Sequence, residues 1–173
     1  MTYFRYLHAL VCGLIATLTM DIMNYLASLT GWINKMDPTI TGRLADGWAR
    51  GKFVYDNFAQ VPEVGDALAK GVFAHYLIGV VCALGFVILL NHADLKNKLA
   101  AAIAFGLATT AFSAFLLFPS VGMGIFAMKS PVWPLLVRSS VVNHLFFGIG
   151  LYLGSEAWLL ISRHRAPSMR EAS

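Results

Sequence analysis

Four long apolar stretches, over residues 6–29, 71–90, 99–118 and 135–161, constrain this chain more than any other feature. A membrane-crossing helix needs about 20 mainly apolar residues, twice the length of a barrel strand. In hydrocarbon every backbone polar group must find its partner inside the protein, and a helix does this within itself. The runs therefore predict an all-α integral membrane four-helix bundle. A chain of 173 residues, 58% hydrophobic and 13% charged, has room for one membrane domain and one long polar loop. The first run is too long for a secretory leader, carries Asp21 and lacks a small-residue cleavage site, so it reads as a retained helix. Cys12 and Cys82 sit inside apolar runs as small buried residues. The net charge of +4 does not imply a nucleic-acid partner, because the basic residues are scattered over loops and tails.

The long loop, residues 34–70, joins the first and second spans. Within it Ile40, Leu44 and Trp48 recur every four residues, which predicts a short interfacial helix, although Gly42, Gly47 and Gly51 weaken it. Pro62 followed by Glu63 reads as the start of an amphipathic lead-in to the second span. Pro119 is expected to stop the third span. The segment 119–134, apolar for a loop, would then dip into the interface or cover the bundle. The fourth span leads into a basic tail, Arg163, His164 and Arg165. Four spans put 34–70 and 119–134 on one side and the 91–98 turn with both termini on the other. The basic residues of the short turn and the tail favour cytoplasmic termini.

An internal pattern divides the spans into two hairpins. Val72, His75, Gly79 and Gly85 match Val141, His144, Gly148 and Gly154 at constant spacing, and Gly13, Leu14 and Thr17 match Gly106, Leu107 and Thr110. Two hairpins running the same way imply a parallel repeat. Gly79 and Gly148 then mark close helix contacts, either within the bundle or as faces for a homo-oligomer. His75 and His144 either hydrogen-bond across such contacts or line a shared site.

Polar residues inside the spans ask for partners. Thr17, Asp21, Asn24 and Ser28 fall along one face of the first span. An ionised Asp in hydrocarbon costs about 2.5–3.5 kcal/mol on insertion scales, so Asp21 needs a proton, water or a counter-charge. At about 1.5 Å per residue, Asp21, His75, Arg138 and His144 lie at similar depth toward the long-loop side, with Asn143 beside them. They form either a ligand or proton site, or a structural lock in which Asp21 pairs with Arg138, itself snorkelling to the interface.

The segments GLIATLTMD, TGRLADGWARGKFVYDN, GVFAHYLIG, FPSVGMGIFAMKSP and RSSVVNHLFFGIGLYL, in that order along the chain, resemble a bacterial membrane family known as domain of unknown function 2938. The resemblance implies a multi-pass protein of the bacterial inner membrane and assigns no activity, cofactor or metal. Three readings follow from the residues. The chain is a small polar-solute or proton-handling carrier built on the Asp21, His75, Arg138 and His144 cluster; an accessory subunit docking a partner through 34–70; or a redox protein with the two histidines on haem. No enzymatic motif is present. The expected partner is the lipid bilayer.

Overall fold

The computed structural model describes the backbone of residues 2–92 and 96–168 and the side chains of 4–92 and 96–162. The side chains of Arg163, His164 and Arg165 and part of the 91–98 turn lie outside the described residues. The described residues are helical, without strands. Four helices are long and apolar enough to cross a membrane. They are α1 (Thr2–Ser28), α3 (Ala67–His92), α4 (Lys98–Ser120) and α5 (Trp133–Ser168), with α2 (Pro38–Ala49) in the long loop. Their outer faces carry Leu14, Leu18, Ile22, Phe73, Leu77 and Val81, all exposed, as a bilayer-facing surface requires.

The spans stand in the order α3, α1, α5, α4. The first span packs along both α3 and α5, and α4 along α5, while the consecutive helices α3 and α4 touch little, chiefly where Phe86 meets Phe105. Small residues allow these approaches, because lipid tails leave little hydrophobic drive between helices and close van der Waals contact must supply it. A Cβ at Gly150 would lie 2.5 Å from Ala16 Cα, and one at Gly154 2.7 Å from Cys12 Cα. Gly13 lies against Val80 and Gly79 against Thr17, while Gly106 lies against Gly148. Gly79 and Gly148 are thus occupied by helices of the same chain. At the end near the 91–98 turn the bundle is solid, with Ala83, Phe86, Val87, Ala102, Phe147 and Leu151 in one buried cluster.

At the other end the helices are roofed. Asp37 caps α2, its carboxylate accepting from Thr39 N at 2.9 Å, and Pro38 opens the helix where a missing N–H costs nothing. The stripe Ile40, Leu44 and Trp48 turns inward rather than toward lipid. Fully buried Leu44 joins Tyr55, Val61 and Val121, and Ile40 and Trp48 pack on this cluster beside Leu117 and Met123. The glycines that weakened this helix on propensity are what let it dock. Gly42 and Gly71 bring the backbones of α2 and α3 together, leaving no room for a Cβ on either. Tyr55 N donates to Ser120 O at 2.9 Å, so the 34–70 and 119–134 segments roof the same end.

Two expected boundaries differ. Residues 62–66 are not helical, and α3 starts at Ala67, so Pro62 and Glu63 belong to the approach to the span. Pro119 does not stop α4 either. A π turn over Ser113–Leu117, with Phe118 N donating to Ser113 O, loosens the ladder ahead of the proline and carries the helix to Ser120.

Candidate ligand cavity between the spans

Asp21 and His75 meet where α1 and α3 diverge toward the roof. Asp21 Oδ1 lies 2.9 Å from His75 Nε2, and the Tyr76 ring stands edge-on to the imidazole at 5.8 Å. The pair is only partly shielded, the Asp21 side chain being 30% exposed and that of His75 16%. Asp21 lines an outer groove of about 250 Å³ with Tyr25, Lys35, His75 and Tyr76.

His144, on α5, turns to the other hairpin partner. Its Nδ1 lies 2.7 Å from Thr109 Oγ1 and its Nε2 3.2 Å from Ser113 Oγ. Thr109 has a single hydroxyl proton, and that proton is directed at Gly106 O, 2.5 Å away. Nδ1 must therefore donate to Thr109 Oγ1. Nε2 and the Ser113 hydroxyl form a second bond, in which the hydroxyl can either donate or accept. Thr109 and Ser113, one helical turn apart on α4, present both hydroxyls to the same ring.

Between the two histidines lies a cavity of about 290 Å³, near the lower end of the ~300–1,000 Å³ range of ligand pockets. All four spans and the roof contribute to it. Thr17, His75, Ser113, Ser140, Asn143 and His144 supply polar groups, and Met20, Ile78, Phe112, Leu136 and Phe147 supply apolar wall. His75 lines both this cavity and the outer groove, whereas Asp21 lines only the groove.

The roof is pinned to the bundle by Asn24, which is 3% exposed. Its Nδ2 donates to Asn34 O and to Asn143 Oδ1, each at 3.0 Å, and its Oδ1 accepts from Met36 N at 2.9 Å. Ser139 Oγ accepts from Asn34 N at 2.8 Å. The chain leaving α1 is thereby tied back to both α1 and α5, over the mouth of the cavity.

Of the residues singled out in the sequence, Thr17, His75, Asn143 and His144 line one cavity, and Asp21 joins them through His75. Arg138 does not. Its exposed guanidinium lies over the Trp32 ring, 5.5 Å from the centroid, so of the two arrangements expected the Asp21–Arg138 lock is replaced by an Asp21–His75 pair. Thr109, Ser113, Ser139 and Asn34 were missed. The signal in the sequence is the four-residue spacing of Thr109 and Ser113, which puts both hydroxyls on one helical face.

The family model described as "Protein of unknown function (DUF2938)" matches residues 10–159, most of the chain. The chain belongs to that family. Every cavity residue named above falls inside the region matched to DUF2938, as do all four spans for most of their length. No curated protein and no solved structure matches the chain.

Proposed function

We propose that this DUF2938 member is a bacterial inner-membrane carrier, with cytoplasmic termini, that binds a small solute between its spans and handles a proton at Asp21 and His75. The observation that carries this reading is the single cavity lined by both span histidines, one of them bonded to a carboxylate. Carboxylate and imidazole side chains in contact inside membrane spans are the groups from which proton relays are built. Residues of all four spans and of the roof, all from one chain, line the cavity.

The geometry favours this over the other two readings. Within the 34–70 loop, through which an accessory subunit would dock a partner, the apolar stripe of α2 is already covered by the protein's own Leu117, Val121 and Met123. Both ring nitrogens of His144 are engaged by hydroxyls and His75 Nε2 by Asp21, an arrangement suited to hydrogen bonding and protonation rather than axial ligation.

The test uses everted membrane vesicles carrying the protein, acidified inside and followed with a pH-sensitive dye. Addition of a carried solute is expected to dissipate part of the proton gradient. Vesicles with Asp21→Asn or His75→Gln should hold the gradient. Equal dissipation by both variants would remove the proton role.

A further inference from the structure

We infer that the cavity opens sideways to the bilayer between α3 and α4 and takes the chain of a single-chain amphiphile, a long-chain carboxylic acid or alcohol, with its head toward the roof. This rests on the cavity being a ligand site and adds what the ligand is and how it arrives.

Three of the four seams between the spans are closed by backbone approach. The first span meets α3 where Gly13 lies against Val80, it meets α5 at Gly150 and Gly154, and α4 meets α5 at Gly106 and Gly148. The seam between α3 and α4 stays open. Their contact is confined to the end near the 91–98 turn, where the Phe105 ring lies beside Phe86 and Gly85. Toward the roof, residues 110–120 make little contact with α3, and α2 bridges the gap, seated on α3 at Gly42 and Gly71 and on Leu117 of α4. From Gly71 to Phe86 the opening runs for about 22 Å at 1.5 Å per residue, within a hydrocarbon core of about 30 Å. Its edges are His75, Ile78, Gly79 and Cys82 on α3 and Thr109, Phe112, Ser113 and Leu117 on α4, all lining the cavity. Spacings of three and four put each set on one helical face, the kind of face that packed helices present to each other. Here Ile78, Cys82 and Phe112 remain partly exposed.

Shape and chemistry narrow the occupant. Leu136, Ser139, Ser140, Asn143, His144 and Phe147 follow the cavity along α5, which makes it about 16 Å long at 1.5 Å per residue. About 290 Å³ over that length gives a mean section of about 18 Å², the girth of one extended hydrocarbon chain. Neither a second chain nor a helix about 10–12 Å across fits. The polar groups along the walls are taken up by the protein: His144 by Thr109 and Ser113, His75 by Asp21 and Asn143 by Asn24, while the hydroxyl oxygens of Thr17 and Ser140 are buried. Met20, Ile78, Phe112, Leu136 and Phe147 supply apolar surface beside them. The charged lining residues Lys35 and Asp37 lie at the roof end, so the head rests there and the chain points toward Cys82 and Phe147. Asn24 and Ser139 pin the roof over that end, and a molecule already dissolved in the bilayer has the open seam as its way in. A water-soluble solute would first have to shed its hydration in hydrocarbon to use it.

The experiment is photolabelling of the full chain in phosphatidylcholine nanodiscs with dodecanoic acid and with dodecanol, each carrying a diazirine at mid-chain, the adducts being mapped by mass spectrometry. At least one of the two should mark Ile78, Cys82 or Phe112. About a tenfold excess of the same compound without the diazirine should lower those adducts about tenfold, as mass action on one site requires. Adducts on the outward Leu77, Val81 and Phe115 report the bulk bilayer and should not be competed. Phosphatidylcholine bearing the diazirine on one of its two chains should mark the outward set alone. Ile78→Trp and Cys82→Phe each fill the cavity and should abolish the competed adducts while sparing the outward ones, the result being taken from whichever variant keeps its thermal midpoint. No competed adduct at Ile78, Cys82 or Phe112 with either single-chain probe, equal competed labelling by the two-chain probe, or undiminished competed labelling in a folded, filled variant would each overturn the inference. Its failure is separable from that of the carrier reading. A protein that takes the chain but dissipates no proton gradient loses the carrier role alone. One that dissipates the gradient with a water-soluble solute and gives no competed adduct loses the chain assignment alone.

Discussion

Replacing Asn24 by Ala removes one side chain and strips three hydrogen bonds from the roof: those to Asn34 O, Asn143 Oδ1 and Met36 N. Side-chain hydrogen bonds between membrane helices average about 0.6 kcal/mol and reach about 1.7 kcal/mol. Three of them give about 2–5 kcal/mol by that scale, toward the upper part if Asn34 O and Met36 N stay buried with no substitute. Asn143→Ala breaks only one of the three, so about 0.6–1.7 kcal/mol is expected, and the Asn24 and Asn143 cycle should show coupling of that same bond. The assay is reversible unfolding in mixed micelles together with backbone hydrogen exchange. Exchange should quicken over residues 34–50 while the buried cluster around Phe147 and Leu151 stays protected, because the roof detaches before the spans separate. A loss below about 0.5 kcal/mol, or unchanged exchange over 34–50, would refute the view that Asn24 holds the roof down.

Gly148→Ala places a Cβ 2.7 Å from Ala102 O and 2.8 Å from Ile103 Cα, backbone atoms that cannot swing away. A cost of about 1–3 kcal/mol should appear as a lower thermal midpoint in detergent, and an unchanged midpoint would mean that α4 and α5 are less tightly packed. Arg138→Gln should cost only about 0.5–1 kcal/mol, the worth of an exposed cation–π contact, and should add to Asp21→Asn without rescue. Recovery of stability in that double variant would restore the Asp21–Arg138 lock. Asp46 lies in the roof, where hydrogen bonding from Lys70, aided by the charge of Arg50, holds its carboxyl below the usual range. A lowered folded value means the stabilisation is present above the unfolded pKa of about 3.9 and lost as pH falls through the folded value. Acid-induced opening of α2, followed by proteolysis, should therefore move to higher pH in Lys70→Gln. Cysteines replacing Lys52 and Lys96 should be labelled from opposite sides of intact cells. Labelling of both from one side would contradict the four-span arrangement.

The spans were legible because apolar length is read directly from composition, and the α2 stripe because its spacing matches a helix. What the stripe packs against was not legible. A helix with one apolar face fits a bilayer surface and a protein roof equally well, and only the Gly42 and Gly71 approach distinguishes them. The site was half legible. Thr17, Asp21, Asn24 and Ser28 look like one face, yet at about 100° per residue they spread to about 0°, +40°, −20° and +20°. That spread of about 60° sends Asp21 to His75 on α3 and Asn24 to Asn143 on α5, while Ser28 bonds back to Tyr25 O. Depth along the membrane placed Arg138 near Asp21. Depth says nothing about azimuth, and Arg138 turned outward to Trp32. The continuation of α4 through Pro119 depends on a π turn, for which the residues Ser113–Leu117 carry no local signature.

The bond between Asn24 and Asn143 joins residues 119 positions apart and so fixes an order of events during synthesis. At about 5–20 residues per second, roughly 6–24 seconds of translation separate the two asparagines. Over that interval the Asn24 amide has only its nearer partners, Asn34 O and Met36 N, within reach, and Asp21 waits 54 residues, a little under half of it, until His75 arrives. A helix bearing those two side chains is poorly suited to stand alone in lipid. These two side chains gain their partners only when α3 and then α5 are delivered, and only then can the roof close over the finished cavity.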